Sequence, residues 1–289
     1  MDYFIHVLVI VGIYAILSMS LDIIVGYTGI PALGHAAFSL IGAYTSALLS
    51  LRLGLSPWIG MFAGAFLASI AGAISTYPAI RLKGDYLALA TFGLGIIAYV
   101  IAKNWVSLTK GPMGLPGIPG FSLFGYELKE VWQYLLLILF FVAITYIFLS
   151  LLVNRPFGRV LKGIREDEIA IQALGKDISI FKLKVFMVGA FFAGIAGALY
   201  AHYITFIDPS SFTLMESITI LVMLIFGGMG TLKGALLGAF LLVAIPEALR
   251  FLGLPSSVAA QLRQMLYGFI LVILMLYRPQ GLIGQYKWR

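Results

Sequence analysis

Asp22, His35 and Glu247 are the ionisable side chains nearest to the interior of long apolar runs. Charge at membrane depth is costly, so such groups are kept where they relay protons, pair with one another or line a solute path. All three lie near the ends of their runs. Asp22 and Glu247 are therefore read as helix-end or interface charges, and His6 and His202 as interfacial residues. Three scattered His and no Cys give no ligand cluster for a metal and no thiol for catalysis or disulfides. No G-x-x-x-x-G-K-[ST], H-E-x-x-H or G-x-S-x-G is present. The chain therefore has no phosphate-cradling loop, zinc-protease helix or nucleophile elbow of its own. An integral-membrane enzyme would need His, Asp or Glu clustered at one membrane face, and the chain has no such set.

The stronger candidates are backbone features. VGYTGIPALGHAAFSLIGAY from Val25 and FGGMGTLKGALLGAF from Phe226 are too broken by Gly and Pro to be ordinary spans. Non-helical backbone survives at membrane depth only where protein or a water-filled cavity satisfies its N–H and C=O groups. Broken segments in corresponding positions of two halves point to a transport pathway. Gly29, Pro31, Gly34 and His35 in the first stretch, with Gly227, Gly228 and Gly230 in the second, are thus candidate pathway or gate residues. The competing reading is tight packing by small residues. Each stretch follows a helix descending to the cytoplasmic side, and each has a glycine-rich turn leading into a small-residue helix.

These residues need an apolar frame. The chain is 61% hydrophobic and 11% charged over 289 residues, with a mean hydropathy of +1.03. That composition places it among polytopic membrane proteins. Uncharged runs predict about nine spans, near 3–24, 35–51, 57–80, 85–103, 131–153, 184–203, 214–228, 234–250 and 263–277, those at 214–228 and 234–250 being short. The fold class is all-α: an integral membrane helical bundle, one domain over 1–289, with broken or short Gly-rich segments. The net charge of +7 resides in loops, where it orients the chain instead of binding nucleic acid. With the amino terminus outside and the carboxyl terminus inside, thirteen of the 19 Lys and Arg fall on the cytoplasmic side and six outside. Gly60, Gly64, Ala68 and Gly72, and again Gly189, Ala193, Gly197 and Ala201, recur every four positions, as close helix packing requires. The outside stretch TKGPMGLPGIPG from Thr109 is a turn-rich excursion: a plain connector, a cap over the mouth of a pathway, or a surface that receives a soluble partner.

Between Leu152 and Val185 the chain turns polar, and this segment holds seven of the 19 Lys and Arg. It is flanked by two runs of 23 residues without a charge, each long enough to cross about 30 Å of hydrocarbon. The loop at 154–184 therefore faces the cytoplasm. Apolar residues at Leu161, Ile164, Ile169, Ala173 and Leu174 predict one amphipathic helix over 161–174 with Gly175 as its stop. Such a helix either rests on the bundle or docks into a partner.

Read together, GYTGIPALGHAAFSLIGAYTSALL, GDYLALATFGLG, NWVSLTKGPMGLPGIP, FGRVLKGIREDEIAIQALG, KLKVFMVGAFFAGIAGALYAHY, FGGMGTLKGALLGA and RPQGLIG resemble LivM-type permease subunits of ATP-binding-cassette importers for branched-chain amino acids. The resemblance implies a multi-pass protein of the prokaryotic inner membrane, surrounded by lipid. It implies a second, LivH-like permease, two cytoplasmic ATPase subunits that carry ATP and Mg, and an extracytoplasmic binding protein, with no cofactor in this chain. It also implies that Arg165, Glu168, Ala170, Ala173 and Gly175 belong to a coupling segment. Where the family pattern suggests an acidic and a basic residue after GLG, this chain has Ile96 and Tyr99, so urea, short amides or other amino acids remain alternative substrates. The competing function is a gradient-driven carrier or channel, against which the shortage of central charges counts.

Overall fold

The computed structural model describes residues 2–82, 84–123 and 126–250, and residues 265, 268, 269, 272, 276–278 and 280–284 further on. The helices are α1 (Asp2–Thr28), α2 (His35–Leu53), α3 (Pro57–Arg81), α4 (Asp85–Asn104), α5 (Val106–Thr109), α6 (Val131–Asn154), α7 (Pro156–Glu166), α8 (Glu168–Ala173), α9 (Ile178–Ile204), α10 (Leu214–Gly227) and α11 (Leu232–Arg250). Two 3-10 turns (Gly111–Met113 and Pro209–Phe212) and two short antiparallel pairs complete the described fold. β1 (Leu115–Pro116) pairs with β4 (Phe206–Ile207), and β2 (Ser122–Leu123) with β3 (Tyr126–Glu127).

Six described helices, α1, α2, α3, α4, α6 and α9, are long and apolar enough to cross a membrane. The runs expected at 214–228 and 234–250 are α10 and α11, which meet at 117° across a short break. Most of the run expected at 263–277 lies outside the described residues, as do Lys287 and Arg289.

Helix ends follow local chemistry. Gly54 ends α2 in a left-handed conformation, its N–H bonded to the Leu49 carbonyl, as glycine does without a Cβ penalty. Glu130 and Gln133 form a reciprocal capping box at the start of α6. Asp177 caps α9 by accepting from the Ser179 N–H at 2.9 Å.

The small-residue series packs helices within this one chain. A Cβ on Gly42 of α2 would lie 2.2 Å from the Gly194 carbonyl oxygen of α9. Gly64 of α3 backs onto Gly42, Gly72 onto Ala190, and Gly197 onto Ser39. Backbones therefore meet across α2, α3 and α9. Around them α1 is buried through nearly its whole second half, so the core centres on α1, α2 and α9. α4 lies outside this core, with Leu89, Ile97 and Ile101 exposed.

The Pro and Gly excursion over 109–120 is packed against the bundle. Ile118 N–H donates to the Thr205 carbonyl, and Leu115 and Ile118 are buried. His202, read from sequence as interfacial, is fully buried: one ring nitrogen lies 2.6 Å from Ser46 Oγ and the other 2.6 Å from the Pro119 carbonyl. It clips this stretch to α2 and α9. His6 keeps its exposed position, 2.6 Å from the Tyr203 hydroxyl.

Candidate functional site

The last turns of α1 approach the α10–α11 break. Asp22 is completely buried, which corrects its reading as a helix-end or interface charge, and its Oδ1 accepts from the Gly230 N–H at 2.7 Å. Gly228 and Gly230 have φ of 115° and 73°, conformations that glycine adopts without strain. One turn beyond Asp22, the Gly26 carbonyl accepts from Arg165 Nη1 at 2.5 Å. The same guanidinium attracts the Asp22 carboxylate and lies 3.0 Å from where a Cβ on Gly230 would stand. A Cβ on Gly29 would meet Arg165 Cγ at 2.8 Å. Arg165 thus touches both glycine-broken stretches at once. Residues 280–284 close over this turn. Leu282 and Ile283 N–H groups donate to the Phe226 and Gly227 carbonyls at 3.1 and 3.0 Å. Glu247 keeps a helix-end position in α11, where the Tyr3 hydroxyl donates to its carboxylate.

The first stretch divides in two. Gly29 and Pro31 line a pocket of about 390 Å³ beside Arg165 and Glu168. Gly34 and His35 stand deeper. His35 Nε2 is 2.8 Å from Ser20 Oγ, and Ser20 precedes the end of α1 by eight residues, about 12 Å at roughly 1.5 Å per residue. α2 therefore starts inside the bundle. Its entry is held by Leu33 N–H donating to Thr91 Oγ1 at 3.1 Å and Ala36 N–H donating to Ser217 Oγ at 2.9 Å. This is how irregular backbone is satisfied where water is scarce. Beside the entry an apolar cavity of about 300 Å³ opens between α2, α3 and α4, lined by Gly34, His35, Phe38, Thr91 and Ile97. Ile96 and Tyr99 do not line it, so the two departures on α4 take no polar group from this cavity. Tyr99 instead has Lys103 Nζ 5.8 Å above its ring.

Residues 3–275 match the family model for the branched-chain amino acid transport system / permease component. The chain belongs to this family. The permease is 36% identical to the high-affinity branched-chain amino acid transport system permease protein LivM of Escherichia coli (strain K12), over 94% of this chain and 68% of that protein. It is 28% identical to the probable branched-chain amino acid transport permease protein LivM of Methanocaldococcus jannaschii, over 95% of this chain and 91% of that one. Against the high-affinity permease protein LivH of Escherichia coli (strain K12) the identity is 23%, over 94% and 91%. These relatives are transport permeases, not enzymes. No solved structure matches the chain.

The permease's polar segment is not the single helix expected over 161–174. It forms α7 and α8, broken at Asp167, whose Oδ1 accepts from the Ile169 and Ala170 N–H groups at 2.8 and 3.1 Å. A carboxylate one residue before a helix satisfies amides that helical continuation would use otherwise. The break splits the apolar stripe. Leu161 and Ile164 are buried against the bundle, whereas Ile169 and Leu174 are 71% and 74% exposed. The five expected coupling residues divide likewise. Arg165 points into the bundle, and Glu168 pairs with the buried Lys182 of α9 at 2.7 Å. Ala170, Ala173 and Gly175 are exposed, and a Cβ on Gly175 would meet nothing within 4 Å.

Sequence reasoning missed Ser20, Thr91 and Ser217, each of which holds the start of α2. A hydroxyl in an apolar run ordinarily bonds its own helix, as Thr145 does to the Phe141 carbonyl, so no local signal separates the two uses.

Proposed function

We propose that this permease is one of two transmembrane subunits of an ATP-binding-cassette importer for branched-chain amino acids. A LivH-like second permease would complete the pathway. Two ATPase subunits with ATP and Mg would drive it from the cytoplasm, and an extracytoplasmic binding protein would deliver substrate. The observation that carries this reading is Arg165, which links the polar loop to Gly26 and Gly29, at the start of the first glycine-broken stretch, and to Gly230 in the second. Movement of α7 would reach both stretches through Arg165. The exposed Ile169, Ala170, Ala173, Leu174 and Gly175 face supplies the surface on which an ATPase would push.

The finer membrane arrangement is nine crossings, with the amino terminus outside and the carboxyl terminus in the cytoplasm of a prokaryote. Two contacts support it. Tyr3 meets Glu247, so α11 ends where α1 begins, while the α10–α11 break lies beside Arg165 and residues 282–283. α10 and α11 then count as two crossings, and the charge distribution selects the orientation. Single cysteines at Ser179 and Ser210 test it in this cysteine-free chain. Position 210 is expected to label from outside intact cells and position 179 only after permeabilisation, and the reverse pattern would overturn the arrangement. For function, leucine uptake into proteoliposomes is expected to require the ATPase chains. Uptake by the purified permease alone, driven by an ion gradient, would sink the importer reading.

A further inference from the structure

A second cavity, about 170 Å³, lies between α1, α2, α9 and α10, towards the end of the bundle where α10 begins, and is lined by Tyr14, Leu17, Ser39, Tyr200, Ser211 and Glu216. This is far more space than the 10–15 Å³ or so that one water needs. The exposed Ser210 also lines it, so it reaches the surface.

Glu216 is the feature that local structure does not explain. Thr213 and Glu216 have the spacing of a capping box at the start of α10, yet the Thr213 hydroxyl makes no cap bond there. Glu216 bonds the Tyr14 hydroxyl instead. Among the described residues the ion pairs are Lys129–Glu127, Arg165–Glu166 and Lys182–Glu168, so no described cation serves Glu216. Glu216 is partly buried in a cavity that opens to the surface; a carboxylate bonded to one phenol keeps lone pairs for a further donor, and a cation is the partner that best offsets its desolvation.

We propose that this cavity is a binding site for the α-ammonium group of an amino acid, held by Glu216, with the aliphatic side chain lying along Leu17 and the apolar face of α1. The site adjoins the interior start of α2. Ser39 stands one turn beyond His35, the Leu17 carbonyl accepts from Ser20 Oγ at 2.8 Å, and Ser217, next to Glu216, caps the Ala36 N–H. A solute held here is one helical turn from the broken stretch that leads towards Arg165. Glu216 thus selects for a primary ammonium before the aliphatic portion is tested.

The inference rests on the amino acid permease reading, and the experiment separates the two. Binding is measured by calorimetry on the assembled importer without its binding protein, using leucine, 3-methylbutylamine (leucine without its carboxylate) and 4-methylpentanoate (leucine without its ammonium). The wild type is expected to bind leucine and the amine and to reject the acid. Glu216→Gln should weaken leucine and amine binding by about tenfold or more, the effect of losing a charge-assisted bond. Tyr14→Phe removes the same internal hydrogen bond but keeps the carboxylate, and should retain leucine binding. Equal leucine affinity in wild type and Glu216→Gln, or equal affinity for leucine and 4-methylpentanoate, overturns the site while leaving the permease reading intact. A wild-type importer that neither transports nor binds leucine overturns both.

Discussion

The break before α2 and the break between α10 and α11 meet the same arginine, yet they are held by different chemistry. Residues 29–34 run without helix from the Arg165 side to the level of Ser20, and their stability depends on side chains from other helices: Thr91, Ser217 and the Ser20–His35 pair. Residues 228–231 turn sharply in place and rely on the absence of side chains. A Cβ on Gly228 would lie 2.2 Å from the Gly284 N, and Gly230 presents its amide to Asp22. The first break is held by hydroxyls of other helices, and the second is closed by backbone against backbone. Side-chain bonds can be removed one at a time by substitution, whereas a turn packed backbone against backbone fails wherever a Cβ is added.

The largest test removes what the two breaks share. Asp22→Ala takes the acceptor from the buried Gly230 N–H and a nearby carboxylate from the Arg165 guanidinium, and is expected to cost about 3 kcal/mol or more, since a buried amide and a charged group both lose a partner. Thermal unfolding of the purified permease reads it, and a wild-type midpoint would show that the breaks are held independently. Ala173→Asp comes next. An unpaired carboxylate on the exposed α8 face should leave the isolated permease as stable as wild type but cost the assembled importer several kcal/mol if that face is covered. Co-purification with the ATPase at matched membrane abundance measures this, with Asp167→Asn, which keeps a capping side chain, expected to behave as wild type.

Gly228→Ala separates the breaks from each other. A Cβ at φ 115° against the Gly284 backbone should cost about 3 kcal/mol through strain and overpacking, and loosen residues 282–283 in hydrogen exchange. Ser217→Ala is the smallest change, about 1 kcal/mol for one lost bond to the Ala36 N–H. Its expected signature is faster exchange at the start of α2 with the α10–α11 turn unaffected. Equal protection of both regions in both variants would dissolve the distinction between a break held by hydroxyls and one closed by backbone.

Much of the site was legible as glycine. Gly29, Gly228 and Gly230 were singled out because helical backbone rarely tolerates such clusters, and all three have positive φ. Asp22 and His202 were misplaced for one reason: a run of hydrophobic residues has no visible face when the helix is apolar all round, so burial cannot be assigned from period. The helix break at Asp167 escaped because apolar spacing continues through it. The neighbouring acidic residues carried the capping signal, but the same residues also suit a solvated helical face.

Membrane class, the six long spans and the basic loop were determined by the sequence itself, because each depends on run length and charge count within a short window. Partner choice was decided only in three dimensions. Asp22 and Gly230 are 208 residues apart, and Arg165 and Gly26 are 139 apart. Any buried amide or carbonyl along these helices accepts several chemically equivalent partners, and the helix approach permitted by Gly42 and Gly194 selects which of them come within reach. Arg165 shows the division most clearly: its charge and its place in the loop are local facts, while its inward direction follows from α1 and the α10–α11 turn packing against each other.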